Sequence, residues 1–200
     1  MREKNSKKTR RDIVIAAKKV FLKNGYINTT ISQISAEAEV GYGTVYSHFK
    51  AGKDEVLNRV ADDIFEELFA IAIAEYNVQS IEELRITLEQ QIIKALDIAD
   101  KNRPILKLIW EAMGKSVLVC NHWAQIQDKF IDKTMQDITK NIKKGFAKQI
   151  NERIVAIAIM HMIWGFLWDY VFEKYGRPND IAKTIATIYT EGVYHKHLSG

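Results

Sequence analysis

The helix predicted for residues 42–49 has one apolar side and one side rich in hydrogen-bonding groups. Val45 and Phe49 are four residues apart and share the core-facing side. The outward and flanking positions hold Tyr42, Gly43, Thr44, Tyr46, Ser47 and His48. Hydroxyl and imidazole groups donate hydrogen bonds to phosphate oxygens, and a glycine permits close approach of another backbone. These residue types suit the binding of a phosphate-bearing polymer.

Residue patterns that would indicate catalysis or a metal site are absent from the sequence. None of the five histidines follows a glutamate by three residues, as the ligands of a di-iron bundle do. There is no Gly-rich phosphate loop, HExxH or nucleophile-elbow motif. Cys120 is the single cysteine, so no intramolecular disulfide can form. We expect a cytoplasmic protein that is not an enzyme and needs no cofactor or metal.

Positive charge is concentrated in the first third of the chain. Residues 1–60 contain 12 Lys and Arg against 6 Asp and Glu, whereas residues 61–200 contain 17 against 19. Six of the basic residues lie between Arg2 and Arg11. This distribution favours a polyanion-binding module followed by a part with another role, although a solvated basic tail would have the same composition.

Two short predicted helices position the polar residues. Thr30 and Gln33 have the spacing of a capping box and open a helix of about two turns. A break at residues 39–41 separates that helix from the one at 42–49. A longer helix over residues 9–24, ending at Gly25, precedes both. This order predicts a helix-turn-helix that places its second helix in a DNA major groove.

Residues 9–57 resemble the DNA-binding domain of TetR-family transcriptional repressors. The family pattern is matched by Ala17 and Phe21, Gly25 and Tyr26, Thr29 and Thr30, Ile34, the run from Gly43 to Phe49, and the run from Lys53 to Leu57. The family usually has glycine where this chain has Glu39, so we expect a strained backbone there at a cost of about 1 to 2 kcal/mol. One extra residue before Lys53 is expected to be absorbed at Gly52.

The resemblance implies roles for individual residues in DNA binding. Phosphate contacts fall on Thr44, Tyr46, His48 and Lys53, and the positions nearest base edges are Ser32, Tyr42 and Gly43. Gln33 and Ser47 complete the predicted DNA-binding set, although capping competes for Gln33. Packing within a small three-helix domain is the alternative for Tyr46 and His48. The basic tail either follows the DNA or is disordered.

Apolar periodicity divides the remaining sequence into helices four to nine. The predicted fold is therefore all-α with about nine helices. We expect a DNA-binding domain at residues 1–52 and an effector-binding and dimerisation domain at residues 53–200. The longest uncharged stretch, from Ile154 to Trp168, has 15 residues and is shorter than a membrane span of about 18 to 20 residues, so a buried helix and no membrane partner are expected.

Specific operator binding by one short helix requires a second copy, so a homodimer is expected. The resemblance places the interface on helices eight and nine. The candidate residues are Ile157, Gly165, Trp168, Ile185 and Ile188. The same side chains could instead fill the protomer's own core.

The resemblance also implies an effector cavity within the C-terminal helices. Its expected lining is rich in aromatic and sulfur-bearing residues, which suits a small apolar or amphipathic molecule. The candidates are Trp110, Met113, Cys120, Trp123, Met160 and Trp164. Each of them could also be an ordinary core residue.

The sequence thus predicts a ligand-responsive transcriptional regulator, most simply a repressor, that binds palindromic operator DNA as a dimer and leaves it when an effector binds. The alternative is a DNA-binding structural or partner-recruiting protein of the same fold without an effector. A ligand-binding or catalytic bundle that does not bind DNA is a third hypothesis, and it leaves the uneven charge unexplained.

Overall fold

The computed structural model describes residues 2–74, 80–173 and 175–195, and within these ranges the chain is all-α, as predicted. The helices of the described residues are α1 Arg2–Asn28, α2 Ile31–Glu37, α3 Tyr42–His48, α4 Lys53–Ile73, α5 Ile81–Lys101, α6 Arg103–Met113, α7 Val117–Lys143, α8 Glu152–Val171 and α9 Pro178–Val193. An isolated antiparallel bridge joins Ala147 to Tyr194.

Helix α1 begins seven residues before the predicted start at Thr9. Residues 2–8 contain lysine, arginine and glutamate, which favour a helix, and no glycine or proline. The basic segment is therefore helical and not disordered. The helix is interrupted at Gly25, where φ is 75° as a glycine cap requires, but ψ is 171° and the backbone turns into an extended conformation.

The chain divides into two compact units. The first contains the residues up to Glu66 together with Asn102–Gln125, and the second contains Glu67–Lys101 and the residues from Ile126 onward. These units divide the chain differently from the functional domains expected at 1–52 and 53–200. The functional division therefore stays a prediction about roles.

In the first unit, α1 packs against α2, α3 and α6. The side chains at the centre of this core are fully buried and come from all of these helices and from α4: Ile13, Phe21, Ile34, Val45, Phe49, Leu57 and Leu106. Burial of each CH₂ group contributes about 0.8 kcal/mol to the stability of the fold. This packing holds the short helices α2 and α3 in place, because neither is long enough to be stable alone.

In the second unit, α5 and α9 pack along each other and α8 contacts both. The apolar helix α8 buries one side and leaves Ile154, Ala158, His161 and Gly165 exposed. By length and composition alone α8 could also cross a membrane, a test that core helices of soluble proteins pass as well. An apolar helix of this composition needs packing partners on all sides, but within the described residues other helices cover only one side of α8.

Candidate nucleic-acid interface and ligand cavity

Helix α2 is fixed at its start by the predicted capping box. The backbone N–H of Gln33 donates to Thr30 Oγ1 at 3.3 Å, and the N–H of Thr30 donates to Gln33 Oε1 at 2.9 Å. Ser32 and Gln33 are both exposed. The side chain of Gln33 is therefore accessible, but its amide oxygen is already engaged in the cap.

The turn between α2 and α3 has the backbone strain that the sequence predicts. Glu39 has a φ of 54°, in the left-handed region that favours glycine. Its N–H donates to the carbonyl of Ala36 at 3.2 Å, and the N–H of Val40 donates to the carbonyl of Ser35 at 3.0 Å. This pair of bonds is a Schellman motif, which ends α2 and directs the chain into α3. Gly52 likewise has a positive φ of 71° ahead of α4.

Helix α3 presents the polar side expected from the sequence. Val45 and Phe49 have no exposed surface. The exposed residues are Tyr42, Gly43, Tyr46 and Ser47, and the half-buried ones are Thr44 and His48. A Cβ added at Gly43 would meet no atom within 4 Å, so another molecule can approach the α3 backbone there.

The two tyrosines of α3 lie side by side at the surface. Their ring centroids are 5.2 Å apart and their hydroxyl oxygens 3.5 Å apart. The hydrogen bond with Tyr42 raises the pKa of Tyr46 above its ordinary value of 10.0. The hydroxyl of Tyr46 therefore carries its proton at neutral pH and can donate a hydrogen bond to a phosphate oxygen.

Arg10 supports the end of α3, a role that sequence reasoning did not identify. Its guanidinium Nη1 donates to the carbonyl oxygen of His48 at 2.7 Å, and its Cζ lies 4.3 Å from the centre of the Phe49 ring. A cation at the C-terminus of a helix is favourable. Because Arg10 and His48 are 38 residues apart, no local pattern indicates this contact.

Lys53 is placed differently from the phosphate contact that the resemblance implies. Its ammonium Nζ donates to three carbonyl oxygens after the end of the regular part of α1, those of Tyr26 at 2.9 Å, Ile27 at 3.2 Å and Thr29 at 3.1 Å. It also lies 4.5 Å from the centre of the Tyr26 ring. An ammonium group has three hydrogens, so in this arrangement Lys53 caps α1 and has none left for phosphate.

A hydrogen-bonded group joins α1, α4 and the start of α7. The hydroxyl of Tyr26 donates to Asp54 Oδ1 at 2.7 Å, and the hydroxyl of Ser116 donates to Asp54 Oδ2 at 2.6 Å. Burial, together with the bond to Asp54, raises the pKa of Tyr26 to about 12. Farther along, His122 on α7 contacts Asp62 on α4 at 2.7 Å. Helix α4 is thereby fixed to both the helix-turn-helix and α7.

The extended start of α1 carries a basic stripe, defined as Lys4, Lys7, Lys8 and Arg11. These residues are spaced three and four apart, so they lie on one face of the helix, and all four are exposed. Ile13, at the position opposite this stripe around the helix, is buried. The stripe is therefore accessible to a polyanion.

The second unit contains a cavity of about 150 Å³ between five helices. Its lining is almost wholly apolar and comprises Leu68, Ile71, Ala72, Leu88, Gln91, Ile92, Ala95, Leu96, Phe130, Thr134, Asp137, Ile159, Met160, Ile163, Trp164, Phe166, Leu167, Ile181, Ile185, Ala186 and Tyr189. Cavities of this size in proteins hold molecules such as benzene when their walls are apolar. The arrangement can therefore bind a small apolar compound.

Two of the six residues expected to line an effector cavity do so, Met160 and Trp164. The other four belong to the first unit: Trp110, Met113, Cys120 and Trp123. Trp123 packs against Phe65 with ring centroids 5.3 Å apart, and Trp110 is 47% exposed. The difference arises because α6 packs on α1, while α9 supplies the side of the cavity that α6 was expected to form.

The residues expected at a dimer interface separate into two groups. Trp168 and Ile185 are buried in the protomer, and Ile185 also lines the cavity, so they offer no free apolar surface. Gly165 is exposed, Ile188 is 50% exposed and Ile157 is half-buried. The exposed surface of α8 and α9 therefore includes these three residues and also Ile154, which sequence reasoning left out.

Comparison with known proteins agrees with this site. The family model described as bacterial regulatory proteins, tetR family, matches residues 13–60, which include α2, α3 and the start of α4. The chain is 30% identical over 131 residues to the HTH-type transcriptional regulator TtgW of Pseudomonas putida, covering 63% of this chain and 91% of that protein.

Solved structures share the fold. A TetR-family transcriptional regulator from Syntrophomonas wolfei superposes with a TM-score of 0.74 at 21% identity, covering 92% of this chain and 94% of the other. A complex of SmeT with triclosan superposes with a TM-score of 0.70 at 20% identity, covering 94% and 92%. The helix-turn-helix has the pattern of the family model, and one relative is matched over nine-tenths of its length. The chain therefore belongs to the TetR family of transcriptional regulators, which bind operator DNA and are not enzymes.

Proposed function

We propose that this protein is a repressor that binds a palindromic operator as a homodimer through α3 and is released from it by a small apolar or amphipathic effector. The observation that carries operator binding is the exposed side of α3, where Tyr42, Gly43 and Tyr46 present hydroxyl groups and an open backbone. Access to DNA implies a cytoplasmic location. The residues assigned to DNA are Ser32, Gln33, Tyr42, Gly43, Thr44, Tyr46, Ser47 and His48, with Lys53 acting as a helix cap.

The cavity in the second unit supports an effector response over the alternative of a DNA-binding structural protein. A protein that only marks or recruits has no need of a cavity of about 150 Å³ in its core. The SmeT structure of similar fold holds triclosan, a small apolar molecule. We accordingly assign effector binding and dimerisation to residues 53–200 and DNA binding to residues 1–52.

Helix α4 connects effector and operator in this proposal. Leu68 and Ile71 line the cavity, whereas Lys53 and Asp54 at the start of the same helix hold α1 through hydrogen bonds. An effector that needs more room than the cavity offers displaces α4 and with it the helix-turn-helix. By linkage, operator DNA must then weaken effector binding by the same factor.

Operator binding is tested by selecting bound duplexes from a random library and measuring their affinity by fluorescence anisotropy at fixed salt. Changing Tyr46 to Ala should weaken binding about a hundredfold, because a dimer loses one hydrogen bond to a charged group in each of its two subunits. The control is Tyr175→Ala, which removes an exposed tyrosine from the second unit and should leave affinity unchanged. Equal affinity of Tyr46→Ala and the unmodified protein would contradict the assignment of α3.

A further inference from the structure

Besides the Trp164 indole on α8 and the Tyr189 hydroxyl on α9, the polar groups of the cavity lining lie on two of its five helices. Gln91 projects from α5, and Thr134 and Asp137 project from α7. Phe130, Thr134 and Asp137 are spaced four and three residues apart, so they share the face of α7 that lines the cavity. The polar side chains on these two helices are therefore available to fix the orientation of a bound molecule.

These groups offer mainly acceptors to a ligand. Gln91 Nε2 donates one of its two N–H groups to the carbonyl oxygen of Ile71 at 3.2 Å, and Gln91 Oε1 remains an acceptor. The hydroxyl of Thr134 donates to Met160 Sδ at 3.5 Å and keeps its lone pairs. Asp137 has carboxylate oxygens, which only accept. The polar groups on α5 and α7 therefore favour a ligand that donates hydrogen bonds.

Asp137 also brings negative charge to the cavity. Among the described residues that line it, Asp137 is the one with a charged side chain. Lys133, one turn earlier on α7, pairs with its Oδ1, and Oδ2 makes no hydrogen bond or ion pair within the described part of the chain. Burial raises the pKa of Tyr194, and the charge of Asp137 raises it further.

The apolar walls limit the rest of the ligand. Phe130 and Trp164 meet edge to face with centroids 5.2 Å apart and line one part of the cavity, and aliphatic side chains line most of the remainder. A volume of about 150 Å³ accommodates a single aromatic ring without movement of the helices.

We propose that the cavity binds an apolar molecule carrying a hydrogen-bond-donating cationic group, such as a protonated amine, with the amine held by Asp137 and the apolar body among the helices. This inference rests on the proposed function, because it identifies the chemical class of the effector. It excludes carboxylates such as short fatty or aromatic acids, which would meet acceptors and negative charge.

Four probes of one size and different polarity test the ligand class: benzylamine, benzyl alcohol, toluene and benzoate. Their dissociation constants are measured at pH 7 by NMR, following the methyl signals of Met160 and Ile185, which line the cavity. We expect affinity to fall in the order amine, alcohol, hydrocarbon and carboxylate, with about tenfold between the first and the last. Benzoate binding as tightly as benzylamine, or no binding by any probe, would overturn the proposal.

Two matched variants test the role of Asp137. Asp137→Asn should weaken benzylamine binding about tenfold and strengthen benzoate binding, since Lys133 then lacks its partner. Asp132→Asn makes the same charge change at an exposed position of α7 outside the cavity lining and should change neither affinity. An unchanged ratio of benzylamine to benzoate affinity in Asp137→Asn would refute the assignment. The probe series on the unmodified protein tests the ligand class even if this variant does not fold.

A separate arm distinguishes failure of this inference from failure of the proposed function. Operator affinity is measured with and without saturating 1-naphthylmethylamine, which keeps the amine but needs more room than the single ring that the cavity accommodates. If the probes bind in the expected order but operator affinity does not change, the cavity chemistry stands and the effector response is refuted. If operator affinity changes but benzoate is the better ligand, the effector response stands and the amine proposal is refuted.

Discussion

Glu39 has a backbone conformation that does not suit its residue type. With φ at 54° in a Schellman motif, it occupies the position where glycine is favoured. The resemblance predicted this strain from a residue that departs from the family pattern. The left-handed backbone at residue 39 was predictable because the turn is fixed by hydrogen bonds to the carbonyls of Ser35 and Ala36, whatever side chain residue 39 carries.

Replacing Glu39 with Gly should stabilise the protein. Relief of about 1 to 2 kcal/mol of strain exceeds the entropic cost of glycine, so we expect a net gain of about 0.5 to 1 kcal/mol in the free energy of unfolding. Urea denaturation measures it. The control is Ala124→Gly at an exposed interior position of α7, which should lose about 1 kcal/mol. A loss of stability in Glu39→Gly would contradict the account of the turn.

Lys53 provides a second residue-scale test, which separates a helix cap from a phosphate contact. Because its ammonium group bonds three carbonyl oxygens, Lys53→Met should lower the free energy of unfolding by about 2 to 3 kcal/mol. At a temperature where the variant is folded, the dependence of operator affinity on salt should be unchanged. A decrease of about 1.8 in the slope of log K against log salt, for two lysines in a dimer, would instead identify a phosphate contact.

The helices of the DNA-binding part were predictable where their ends depend on local chemistry. The capping box at Thr30, the polar side of α3 and the glycine at residue 52 all follow from residues close in sequence. Contacts between distant residues were not predictable, as Arg10 with His48 and Lys53 with the carbonyls of residues 26 to 29 illustrate.

The sequence predicted an apolar cavity, but it assigned some of the lining to the wrong helices. Here too the cause is packing between residues that are distant in sequence. Aromatic and sulfur-bearing residues occur on α6, α7 and α8, and composition alone does not distinguish the helix that packs on α1 from those that surround a cavity. Trp110 and Trp164 are equivalent by residue type, but one is exposed in the first unit and the other lines the cavity. Only the packing of α6 on α1 separates them.

The basic stripe at the start of α1 leads to a prediction about an element. A helical stripe of exposed lysines neutralises DNA phosphates without reading sequence. Changing Lys4, Lys7 and Lys8 together to Gln should lower the slope of log K against log salt by about 5 for the six lysines of a dimer. Titration of the operator at several salt concentrations measures this slope.

The control for the stripe changes the same number of charges elsewhere. Lys140, Lys143 and Lys144 are exposed near the end of α7 in the second unit, and replacing them with Gln should leave the slope unchanged. If both triple variants behave alike, the basic charge of the α1 stripe acts only as a solvated surface.

At the scale of the whole molecule, Gly165 tests dimerisation. A Cβ added there meets no atom of the described chain within 4 Å, so Gly165→Leu should cost the protomer nothing and improve the helix by about 0.8 to 1 kcal/mol. Across a two-fold interface two added side chains collide, so the dimer dissociation constant should rise by about a hundredfold. Sedimentation velocity measures it.

Ala124→Leu is the matched control, because Ala124 is exposed on α7 and lies outside the proposed interface. It should leave the dimer intact. Should Gly165→Leu dimerise as tightly as the unmodified protein, the exposed face of α8 would not be the surface that joins two copies.

The central claim is that two copies of α3 bind one DNA duplex symmetrically, and the stoichiometry and symmetry of the selected operator test it most directly. We predict an enriched sequence with two-fold symmetry, half-sites whose centres are about 10 base pairs or a multiple of that apart, and an even number of chains bound to each duplex. Enrichment of an asymmetric sequence bound by a single chain, or no enrichment at low salt, would contradict the account.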